Sequence, residues 1–223
     1  MAHFGGLLTG GLLGLLFKQL SSGVPELSSN NATDFGPETN KATSPTNHYQ
    51  KALEHIRKLE VEQARTALNH ALDMQPGHLQ ALQSLYNLEK VNPNQPSYRK
   101  VINRVFAFDL GNTVADAFIL SVAQDALSKT LSVEQLDIDA FFGLLHRQLR
   151  NDRLQASTPL VQQAKKNFSE HKKLPKLLFE WSKALIKHNK IRTASIELNY
   201  LANYYGETPF GQSARQQLKT LRN

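Results

Sequence analysis

Residues 48–77, HYQKALEHIRKLEVEQARTALNHALDMQPG, decide the fold. Ala64, Leu68, Ala71 and Leu72 recur at the four- and three-residue steps that put side chains on one face of an α-helix. Ala52 stands twelve positions before Ala64, and Pro76 twelve positions after it. Two small residues at that separation let a pair of antiparallel helices cross closely, and Gln75-Pro76-Gly77 stops the second helix. The stretch therefore reads as a helical hairpin with one apolar seam.

Reading outward, the pattern stays helical to the C-terminus. Leu79, Leu82, Leu85 and Leu88 continue the spacing, and no stretch alternates long enough to argue for a strand. Breaks are expected at Asn92-Pro93-Asn94, Leu110-Gly111-Asn112, Thr158-Pro159, Leu174-Pro175 and Tyr205-Gly206. Ser132 followed by Gln135 has the spacing of a capping box. The small-residue and proline pattern of residues 52–76 resembles a tetratricopeptide helix pair. Leu178, Trp181, Ser182 and Leu185, followed by Ala194, Leu198 and Leu201, repeat it at similar offsets, whereas residues 97–168 fit it poorly. The expected fold is all-α: a tetratricopeptide-like helical repeat domain over residues 48–223, with a compact helical bundle as the other arrangement the pattern allows.

The N-terminal segment is of another kind. Its first seventeen residues, MAHFGGLLTGGLLGLLF, hold five of the chain's 12 glycines and no Lys, Arg, Asp or Glu. Gly6, Gly10 and Gly14 recur every fourth residue, and His3 lies one turn before Gly6 on the same stripe. A smooth glycine face permits close helix packing in a membrane, and an ionisable residue within such a helix marks function. Ala2 to Leu20 spans about 28 Å as a helix, a short span for a bilayer and one better packed among other helices than alone in lipid. No positively charged leader or small-x-small cleavage pattern marks it as a secretory signal. Lys18 at its end predicts a cytoplasmic exit. Residues 1–20 are thus expected to be a transmembrane helix. Residues 21–47, rich in Ser, Asn, Thr, Pro and Gly, are expected to be a flexible linker.

The string Ala2-His3-Phe4-Gly5-Gly6-Leu7-Leu8-Thr9-Gly10 has the form A-H-x-x-G-x-x-x-G. It resembles the last core transmembrane helix of the rhomboid intramembrane serine proteases. The resemblance implies that His3 is the general base of a Ser-His dyad, with Gly6 and Gly10 as packing positions and Gly14 continuing their stripe. A serine hydroxyl is a weak nucleophile until an imidazole takes its proton, which is why the two helices must lie so close. It covers about 20 residues, and the family's G-x-S-G occurs nowhere in the sequence. The chain is therefore expected to be the C-terminal part of a longer protease, inactive alone, whose partners are the remaining rhomboid helices, the lipid bilayer and a protein bound by the cytoplasmic domain. A membrane-anchored tetratricopeptide-like scaffold with no protease lineage is the alternative.

Composition narrows the rest. The absence of cysteine excludes disulfides and thiolate metal sites. The net charge of +7 would suit an anionic partner, but the basic residues are scattered over solvent-facing helix positions, so nucleic-acid binding is not expected. His146 and His171 are isolated, with no spacing for a metal pair, and no cofactor is expected. Asp137 and Asp139 suit a helix start. Lys165, Lys166, His171, Lys172 and Lys173 form a basic cluster, Trp181 belongs to an apolar stripe, and Tyr200, Tyr204 and Tyr205 are expected to line a groove between repeats. Nothing in the helical body reads as catalytic.

Overall fold

The computed structural model describes residues 44–108, 113–129 and 131–222. His3, Gly6, Gly10, Gly14 and almost all of the expected linker lie outside them. The described residues form ten α-helices and no strand: α1 (Pro45–Arg57), α2 (Val61–Met74), α3 (Leu79–Glu89), α4 (Pro96–Ala107), α5 (Thr113–Lys129), α6 (Ile138–Arg150), α7 (Leu154–Asn167), α8 (Leu174–Lys187), α9 (Ile191–Tyr204) and α10 (Pro209–Arg222). None of these is long and apolar enough to cross a membrane. The chain divides into two compact units, Met1–Tyr98 and Arg99–Asn223.

Helix α1 begins at Pro45, three residues earlier than expected. The Ser44 hydroxyl accepts from the Asn47 N–H at 3.1 Å, and Pro45 fills a first-turn position where no N–H is needed. In the first unit α1 packs on α2, and α2 on α3. In the second unit α6, α7, α8, α9 and α10 pack in sequence, and α6 also touches α8, as α8 does α10.

Three hairpins share one backbone frame. The links α1–α2, α6–α7 and α8–α9 each hold a central residue in the left-handed region, Leu59, Asp152 and Asn189, at φ 62°, 54° and 56°. In each, the N–H just after that residue donates to the carbonyl four positions before it: Glu60 to His55 at 2.9 Å, Arg153 to Gln148 at 2.9 Å and Lys190 to Leu185 at 2.8 Å. These bonds satisfy carbonyls orphaned at the end of the first helix. Five residues after the left-handed position stand Ala64, Ser157 and Ala194, all fully buried; nine after stand Leu68, Val161 and Leu198. The frame continues past the second helix, where Gln75, Phe168 and Tyr205 donate to Ala71, Ala164 and Leu201, and His78, His171 and Thr208 donate to Gln75, Phe168 and Tyr205.

Residues 138–171 therefore follow the same hairpin frame as residues 45–78, although their sequence fits the repeat pattern poorly. The bonds that make the turn are backbone bonds, so Leu145 and Ser157 can occupy the positions that Ala52 and Ala64 fill elsewhere. Among the described residues of 97–136 no non-glycine residue takes the left-handed conformation. Two local expectations change. Pro159 lies inside α7 rather than ending a helix; the Ser157 and Thr158 hydroxyls donate to the Arg153 and Leu154 carbonyls at 2.9 Å, serving acceptors of the first turn. Gln135 does accept from the Ser132 N–H at 2.9 Å, but it caps one 3-10 turn, Val133–Gln135, and α6 starts later.

Candidate functional site

Helices α6 and α8 are the first members of successive hairpins, and α10 follows α8 along the same side of the second unit. Three charged pairs mark the register of α6 against α8. Lys173 Nζ lies 3.1 Å from Asp139 Oδ1, His146 Nε2 lies 3.9 Å from Glu180 Oε2, and Lys187 pairs with Asp152. Starts meet starts and ends meet ends, so α6 and α8 run parallel. Each pair is partly or largely exposed and adds little stability, but together they record how one hairpin stacks on the next.

This parallel arrangement leaves a recess of about 490 Å³ on the α6–α8–α10 face. Phe142 and Gly143 of α6, Leu177 of α8 and Phe210 of α10 supply its apolar lining, and Lys172, Lys173 and Lys176 supply charge. A second recess of about 230 Å³ shares His146 and adds Glu180 and Lys183. The aromatic residues are held by neighbours: Phe142 stacks on His171 with ring centres 4.2 Å apart, and Phe210 lies 6.2 Å from Phe179. Burial, followed by the charge of Lys173, lowers the pKa of His171, so its imidazole stays neutral at pH 7.

A buried charge cluster supports the α6 wall. Asp116 of α5 accepts from Arg150 Nε and Nη2 at 3.0 and 2.6 Å and from Asn151 Nδ2 at 2.9 Å. Arg147, wholly buried, places Nε 3.4 Å from Asp116 and donates through Nη1 to the Phe106 carbonyl at 2.6 Å. Burial alone would raise the Asp116 pKa, but the bonds from Arg150 and Asn151 and the two guanidinium charges hold it below the ordinary carboxylate value. Gly143 is required here: a Cβ at this position would sit 2.2 Å from the Phe106 carbonyl oxygen.

The basic cluster expected from the sequence is divided by the fold. Lys172 and Lys173 line the recess, whereas Lys165 of α7 bonds to Glu197 at 3.0 Å and lies 4.1 Å from the Tyr200 ring centre on α9. The tyrosines lie between repeats on another side, away from this recess. Tyr200 and Tyr204 lie on α9 with Ile196, and Tyr205 donates to the Ser169 carbonyl at 2.5 Å, so all three belong to the side of α7 and α9. Burial raises the Tyr205 pKa and keeps its hydroxyl protonated. Trp181 is core, as its stripe predicts. Asp137 is the N-cap residue of α6 and Asp139 lies in its first turn.

Sequence reasoning missed Asp116, Arg147 and Gly143, and also Phe142 and Phe210. The signal for Arg147 is its place among Phe141, Leu144, Leu145 and Gln148 on a helix buried around most of its girth. Among the described residues no three His, Asp or Glu side chains gather to hold a metal ion. Comparison with protein-family models and with characterised proteins finds no match to this chain.

Proposed function

We propose that this chain is the C-terminal part of a rhomboid-like intramembrane serine protease, joined by a linker to a cytoplasmic, tetratricopeptide-like protein-interaction domain. The observation that carries the protease reading is His3 one turn before the Gly6, Gly10, Gly14 stripe in an uncharged segment. In this reading His3 takes the proton of a serine supplied by membrane helices outside this sequence, and the glycines bring the two helices within reach. The helical body contributes binding rather than chemistry. Support for that part comes from hairpins α6–α7 and α8–α9, which share one frame and stack on each other within the second unit.

An immunoblot of source-cell membranes with an antibody against residues 50–223 tests the reading. A band near twice the 25.0 kDa of this chain, labelled by a serine-directed fluorophosphonate and unlabelled after His3→Ala, is the expected result. A membrane band at 25.0 kDa alone overturns the protease lineage and leaves the anchored scaffold.

A further inference from the structure

The recess between α6, α8 and α10 combines an apolar floor with a rim of one dominant charge, and that pairing defines a ligand class. Its two cavities are lined by four lysines, Lys172, Lys173, Lys176 and Lys183, against two carboxylates, Asp139 and Glu180. Asp139 and Lys173 are 70% and 50% exposed, so their pair is weak and exchanges readily for a carboxylate from a partner. The larger cavity, about 490 Å³, is the size of a small-ligand pocket and has room for one large side chain between Phe142, Leu177 and Phe210. The second cavity continues it along the same two helices, sharing His146, so the site is elongated rather than round.

We infer that this groove binds an extended acidic peptide segment of another protein, with an aromatic side chain seated in the larger cavity and flanking carboxylates on Lys173, Lys176 and Lys183. A membrane surface fits less well, because the apolar floor is recessed between parallel helices instead of projecting as an amphipathic face would. The inference rests on reading the helical body as an interaction module, and not on the rhomboid resemblance.

Fluorescence anisotropy of a labelled peptide DDEFDD with the full 223-residue chain in neutral detergent tests it. Saturable binding is expected, weakened about tenfold or more by Lys173→Glu with Lys176→Glu, both exposed positions whose change leaves the helical circular dichroism intact. Replacing the peptide's phenylalanine by alanine weakens binding comparably, and the amide peptide NNQFNN does not bind. Equal binding of NNQFNN, or indifference to the lysine changes, overturns the inference. So does lysine-dependent binding of phosphatidylserine vesicles or of poly-uridine without binding of DDEFDD.

Photocrosslinking in source-cell membranes separates this claim from the reading beneath it. Adducts from a probe at Lys176 that DDEFDD competes away agree with the groove. Adducts only from a probe at the exposed Ile196 of α9 keep the interaction module and overturn the groove; adducts from neither position overturn the module as well.

Discussion

Hairpin α1–α2 crosses on Ala52 and Ala64, whereas α6–α7 places Leu145 and Ser157 at the same two positions of the same turn. All four residues are fully buried. The first hairpin achieves a close approach with two methyl groups. The second fills its crossing with a leucine, and the close approach of α6 is to α4, at Gly143 against the Phe106 carbonyl. The small-residue pattern thus records one way of packing the frame, while the left-handed link and its backbone bonds define the frame itself.

The comparison breaks most severely at the cluster of Asp116 with Arg147 and Arg150 on α6. Asp116→Ala leaves Arg147 buried without its counter-charge and should cost about 3–5 kcal/mol in denaturant unfolding of the second unit. The wild type carries a related pH signature. The Asp116 pKa is lower in the folded chain than in the unfolded one, so its contribution is complete above the ordinary value of 3.8 and is lost as pH falls below it. Acid titration of Asp116→Asn should show a shallower fall in stability in that window. An unchanged profile would detach Asp116 from the fold's acid sensitivity.

Leu145→Ala is the sharper test, because it moves α6–α7 toward the small-residue pattern of Ala52 and Ser182. It should nonetheless cost about 2–5 kcal/mol, the range for emptying a buried leucine site. A neutral result would mean that the crossing closes on alanine as α1–α2 does. Gly143→Ala should cost about 1–3 kcal/mol, since its Cβ meets a backbone carbonyl that has little room to yield. Its melting temperature should fall with that loss, and an unchanged melt would contradict the close approach.

The smallest effects lie in the shared link. Leu59, at φ 62° and 58% exposed, holds a left-handed backbone that glycine adopts freely. Leu59→Gly should stabilise by about 1 kcal/mol, the strain of a left-handed leucine offsetting glycine's greater entropy loss. Asn189→Gly should change stability by no more than about 0.5 kcal/mol, because asparagine tolerates that conformation. Thermal melts that rank the two variants the other way would show that side-chain contacts, rather than backbone strain, govern the link.

Much of this architecture is legible in the chain. The α1–α2 hairpin follows from the spacing of Ala52, Ala64, Leu68, Ala71 and Pro76, and α8–α9 from Ser182, Ala194, Leu198 and Leu201. The α6–α7 hairpin is not legible that way, because Leu145 and Ser157 do not advertise a crossing and Pro159 reads as a break. The basic groove was only half legible. Lys172 and Lys173 adjoin in sequence, but Phe142, Lys176 and Phe210 meet them only when successive hairpins stack.

Helix periodicity, the breakers and the small-residue crossings are local properties, and the sequence by itself determines them because each depends on residues within one or two turns. The spacing of His3, Gly6, Gly10 and Gly14 is likewise a local property of the sequence, and the proposed protease reading rests on it alone. Which lysines share a groove, which tyrosines lie away from it, and which arginine is buried depend on contacts between residues about 30–40 positions apart, the length of one hairpin repeat. Those contacts exist only after neighbouring hairpins pack in parallel register, and the tertiary structure alone decides them.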